Sequence, residues 1–135
     1  MKPNFLLFQL GFAVFAFVEA SVLTPRVPYE TIKTTNRFTI GSGYAGDPSM
    51  DGKALRELLQ GPGPVAHCQM LLTHGTPSGQ LYGLLGLRLL DPQAFKAAIP
   101  RYTSSTADVL TMNGGIIAHI PVAMIARSIE EGEIR

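Results

Sequence analysis

The chain has 135 residues, with 11 Lys and Arg against 10 Asp and Glu, a formal net charge of +1. That length holds one small domain and excludes a second catalytic one, and the balanced charge lacks the basic footprint of a protein whose main partner is a nucleic acid or an anionic membrane. Hydrophobic residues make up 46% and charged residues 16%, with a mean hydropathy of +0.20, too apolar for disorder and rich for an ordinary cytosolic domain.

The apolar excess lies at the N-terminus. Lys2 supplies a positive charge, Phe5 to Val18 is apolar apart from Gln9 and Gly11, and Val18-Glu19-Ala20 offers small or β-branched residues at the −3 and −1 positions of a cleavage site. Residues 1–20 are therefore expected to be a signal peptide, and the protein to be secreted or periplasmic with no membrane span in the mature chain. An uncleaved anchor needs about 20 apolar residues, more than this run contains. From Ser21 to Pro48 no helical period is visible. Pro25 and Pro28 read as helix breakers, Gly41, Gly43 and Gly46 are closely spaced, and only Arg37 to Ile40 has strand character, so residues 21–48 are expected to be an extended or flexible arm.

Residues 49–135 read as a small helical domain. Ser49 is placed to cap a helix with Ala54, Leu55, Leu58 and Leu59 on one face, stopped by Gly61. Pro64 sits in the first turn of a second helix, with Val65, Cys68, Leu71 and Leu72 inward and Gly75 closing it. Thr76-Pro77 repeats the cap-and-proline signature and opens the most apolar helix, Gly79 to Leu90, and Asp91-Pro92 does so again ahead of Phe95, Ile99 and Tyr102. Pro100 is expected to end or kink that fourth helix. Fainter starts follow at Thr106 and Pro121, the latter leading into a helix from Val122 to Glu131 with Val122, Ile125 and Ile129 inward.

The start signals recur at near-constant spacing, 49 to 77 to 106 and 64 to 92 to 121, which describes stacked antiparallel helical hairpins joined by tight turns. In period and caps, Ser49 to Gly132 resembles short HEAT-type helical repeats. The resemblance implies an architecture and a broad binding surface, and it assigns no functional residue. The expected class is thus mainly α, with one competing signal. Val109 to Met112 and Ile116 to Ile120 are β-rich on either side of Asn113-Gly114-Gly115, and Asn-Gly is a strong hairpin turn, so a small β-hairpin over residues 109–120 competes with a third helical pair.

Candidate chemistry is sparse, and no catalytic, cofactor-binding or metal-binding residue is assigned. Gly41-Ser42-Gly43-Tyr44-Ala45-Gly46 matches G-x-G-x-x-G in letters, but Asp47-Pro48 blocks the helix that would receive a pyrophosphate, so a loop is the better reading. His67 and His74, seven apart on one helix, stand about 10 Å from each other, too far to share a metal. Cys68 is the one cysteine, which excludes an intramolecular disulfide and favours burial over a bridge to another molecule. Asp47, Asp51, Asp91 and Asp108 fall at turns or helix starts where carboxylates cap amides, and Glu130, Glu131 and Glu133 fall at a solvated end. Gly79, Gly83 and Gly86 inside one helix point to close approach by a neighbour, ahead of a ligand groove.

These features fit an exported, non-catalytic, monomeric module that binds another protein or an envelope component. A small exported enzyme using His119 with Cys68, or with Tyr82 or Tyr102, is the alternative, and an inhibitor or immunity protein against an exported toxin is a third reading. An exposed apolar patch favours a binder, whereas a groove with two convergent titratable groups favours an enzyme.

Overall fold

The computed structural model describes residues 26–40 and 50–134. In chain order these form α1 (Arg26–Thr34), β1 (Arg37–Thr39), α2 (Met50–Gln60), α3 (Pro64–His74), α4 (Pro77–Leu90), α5 (Pro92–Thr103), β2 (Asp108–Asn113), β3 (Ile116–Pro121) and α6 (Val122–Glu130). The fold is mainly helical with one three-stranded sheet ordered β1-β2-β3. The segment expected to be a signal peptide, Ser49 and the Gly41 to Gly46 glycine motif lie outside the described residues.

The four central helices begin where the sequence places them, because each start is decided locally. The Thr76 side chain accepts from Gly79 N at 3.1 Å and the Asp91 carboxylate from Ala94 N at 3.1 Å. Each cap thereby satisfies an amide that lacks a helical partner, and the prolines that follow occupy positions whose missing N–H costs nothing. The inward faces also agree. Ala54, Leu55 and Leu58 of α2, Cys68, Leu71 and Leu72 of α3, and Phe95, Ile99 and Tyr102 of α5 are buried, while Leu59 and Val65 are partly covered. Helix α4 is the centre of the core, with Leu81, Leu84 and Leu87 fully buried.

One expectation based on proline is corrected and a second is narrowed. The 21–48 arm is not extended throughout, since residues 26–34 form a helix whose Tyr29 and Ile32 enter the core. Pro28 falls in the first turn of α1, where the amide it lacks would have had no helical acceptor. Pro100 does not end α5, which runs on to Thr103. The carbonyl deprived of a donor is that of Lys96, an exposed residue, so water can satisfy it.

The third helical pair is replaced by the β-hairpin. Gly114 and Gly115 adopt φ of 56° and 88°, the two positive values that a two-residue hairpin turn requires. The β-branched residues on either side then pair antiparallel in unbroken register, from Asp108 opposite Pro121 to Asn113 opposite Ile116. Strand β1 joins β2 in parallel, Phe38 opposite Thr111, across the helical segment α2 to α5. Phe38 is fully buried, its ring centroid 4.6 Å from that of Tyr82.

Candidate functional site

The residues named as possible catalysts are distributed over α3, α4, α5 and β3. Cys68 lies inside the α3–α4 interface with no exposed surface, and burial pushes its thiol up from 9.0 to about 11. His119 lies exposed on β3 and His74 exposed at the end of α3. Tyr82 is buried, and its hydroxyl accepts from Thr39 N at 2.9 Å. His67, read as a surface or satisfied core residue, is buried, and its Nδ1 donates to the Gly63 carbonyl at 2.8 Å beside the Tyr29 ring. Among the described residues no group of three His, Cys, Asp or Glu side chains is arranged to hold a metal ion.

The state of Cys68 yields a direct expectation. The thiolate is the reactive form, and an apolar enclosure disfavours it. Maleimide labelling of the native protein at neutral pH should therefore be slower than labelling in denaturant by orders of magnitude. Because the folded thiol titrates above the unfolded one, its contribution to stability is intact below about pH 9 and is lost as the pH rises toward 11. A Cys68→Ser variant, which cannot ionise in that window, should show a shallower loss of stability between those pH values in urea titrations.

A cleft of about 420 Å³ opens between α4, α5 and the β2 approach, lined by Pro77, Gln80, Arg101, Tyr102, Ser105 and Val122 among others. Arg101 Nη2 reaches the Leu72 carbonyl at 2.9 Å, Gln80 Oε1 at 2.9 Å and the Tyr102 hydroxyl at 2.8 Å. The guanidinium thus ties the last turns of α3 and α5 to the first turn of α4, and its charge suits the negative ends of two helices. Burial pushes the Tyr102 hydroxyl up, against the opposing pull of Arg101. The hydroxyls of Thr103 and Ser104 both donate to the Pro100 carbonyl. Among the described residues Arg101 and Tyr102 are the titratable groups lining this cleft, with no imidazole or carboxylate beside them, and their bonds hold helix ends together.

The sheet presents a different kind of site. Its β1 edge is sealed, since the outward amide of Thr39 is taken by the buried Tyr82 hydroxyl. Among the described residues nothing pairs with its β3 edge. Met112 O accepts from Ile40 N at 2.9 Å, so Met112 directs its backbone groups toward β1, and its partner Ile117 turns its own away from β2. His119, two residues on, does the same. Ile116 is 72% exposed and Ile117 56% exposed, and Ala118 and His119 are exposed beside them. The sequence from Val109 to Ala126 carries no Asp, Glu, Lys or Arg. Edge strands are usually guarded by charge, bulges or proline, and here only Pro121, at the end of the strand, serves.

Sequence reasoning found the strand and missed its exposure. The run Ile116-Ile117-Ala118 signals β structure and would suit a buried strand equally well, so it carries no sign of which faces are covered. The three glycines of α4 are explained by contact with neighbours: a Cβ at Gly79 would stand 2.5 Å from the Ile32 carbonyl oxygen, and one at Gly86 2.5 Å from Cys68 Sγ. No known protein family, curated protein or solved structure matches the chain.

Proposed function

We propose that the protein is an exported, non-catalytic helical module that binds another protein or an envelope component, and that the β3 edge is its contact surface. One observation carries the reading: an uncharged strand with Ile116 72% exposed offers unpaired backbone groups beside apolar side chains, while the opposite edge of the same sheet is closed. A free edge recognises an extended segment by main-chain hydrogen bonds, with alternate side chains supplying selectivity. The placement of Cys68, His119 and Tyr102 on different elements supports a binding role over the enzyme alternative. No helix among the described residues is long and apolar enough to cross a membrane.

The test is photo-cross-linking in the native host, with a diazirine amino acid placed at Ile116 or, for comparison, at the exposed Glu57 of α2, and with Ile117→Lys as the control. Cross-links from residue 116 should capture a partner that residue 57 does not, Ile117→Lys should lose them while melting normally, and the recovered protein should begin at Ser21. Cross-links from residue 116 that persist in Ile117→Lys, or a partner captured equally from residue 57, would remove the edge from this role.

A further inference from the structure

We infer that β3 pairs with β3 of a second copy of this chain, antiparallel, about a two-fold axis at Ala118. The inference rests on the binding role proposed for this edge and names its partner. Within β3 the outward N–H groups belong to Ile117 and His119, two residues apart with Ala118 between them, and Pro121 adds an outward carbonyl alone. Inverting the strand about Ala118 brings Ile117 opposite His119 of the second copy and His119 opposite Ile117. Each pair then exchanges both of its N–H···O=C bonds, which is the hydrogen-bonded pairing of an antiparallel ladder. A two-fold axis at His119 would instead oppose Ile117 to Pro121, which has no N–H and completes only one of the two bonds of such a pair.

The side chains agree with this register. Ile116, Ala118 and Ile120 share the face on which Val109 and Thr111 are buried. Across the axis Ile116 meets Ile120 of the second copy and Ala118 meets its own equivalent, so the apolar row of the core continues into the neighbour. Inversion brings no like charges together, because the hairpin beyond Asp108 carries none of the fixed charges of Asp, Glu, Lys or Arg. Since the β1 edge is sealed, the sheet can extend in one direction only, and the contact closes as a two-fold dimer instead of propagating. The short edge offers less surface than the ~1,200–2,000 Å² of a stable interface, so association is weak and concentration-dependent. This departs from the monomer expected from the sequence.

Sedimentation velocity of the purified protein over a concentration series is expected to show a monomer–dimer equilibrium. Ile117→Pro removes an N–H that lies outside the β2–β3 ladder, at an edge position where proline is tolerated, so it should remain monomeric with a near-normal melting temperature. Ile117→Lys serves as a second variant should the proline disturb the hairpin. Register is read by oxidation. In a non-hydrogen-bonded pair the two Ala118 Cα atoms stand about 4.5 Å apart, within reach of a disulfide, so Ala118→Cys should form a covalent dimer faster than Asn113→Cys at the hairpin tip. A wild-type protein that stays monomeric at every concentration, or equal oxidation rates for the two cysteine variants, would overturn the inference. If β3-dependent cross-links to another protein survive that result, the second copy alone is rejected; if they are absent too, the binding role of the edge falls with it.

Discussion

Gly79→Ala should destabilise the protein by about 2 kcal/mol, although alanine is the better helix former by about 1 kcal/mol. The added Cβ would stand 2.5 Å from the Ile32 carbonyl oxygen and 3.2 Å from that of Lys33. Both atoms belong to the backbone of α1, so relief requires the whole helix to retreat and leave Ile32 and Tyr29 poorly packed. Thr76 holds the same junction: its amide donates to the Lys33 carbonyl at 3.0 Å and its hydroxyl to the Thr35 carbonyl. Urea titration should show a lower midpoint at an unchanged slope. A midpoint that rises instead would mean that α1 does not press on α4 at this point.

Phe38→Ala carries the larger effect, about 3–5 kcal/mol, the usual cost of removing a fully buried aromatic ring. In a small domain whose total stability is about 5–15 kcal/mol, that approaches global unfolding. The ring packs against Tyr82, and the adjacent Thr39 amide relies on the Tyr82 hydroxyl, so the cavity also loosens a buried hydrogen bond. Thermal unfolding of the variant distinguishes the two views of this segment. A residue in a loose arm would change stability by no more than about 0.5 kcal/mol, and such a result would detach β1 from the core.

The edge proposed for binding has energetic demands unlike those of the core. Ile32, Leu58, Leu81 and Leu84 hold the helices together with no exposed surface, whereas Ile116 and Ile117 contribute little to folding because water still covers most of them. Apolar area kept exposed is stability forgone. That combination is expected of a surface reserved for association, and it lets the edge be altered without unfolding the helices behind it.

The sequence by itself determined where helices start, near residues 50, 64, 77 and 92, and which faces they turn inward, and it offered the turn at Asn113 beside a competing helical pair. Each rests on interactions within about one helical turn or one hairpin: a hydroxyl or carboxylate capping an amide three residues on, a proline in a first turn, an apolar residue every three or four positions, glycines free to take positive φ. It also located the close approach along Gly79, Gly83 and Gly86, because glycine in a helix interior is costly without such a reason. Tertiary structure alone decided the rest. Pro28 permits a helix or prevents one depending on which turn it occupies, and α1 exists because Tyr29 and Ile32 find the core formed by α2 and α4. The partner of β1 lies some seventy residues away in sequence (Arg37 opposite Leu110). Tyr82, a candidate nucleophile by residue type, became a seal for one sheet edge, and Ile116 to His119 were left open at the other. Which strand edge is covered depends on where separately formed helices come to rest against the sheet, and that is fixed by packing over distances that no local spacing in the chain encodes.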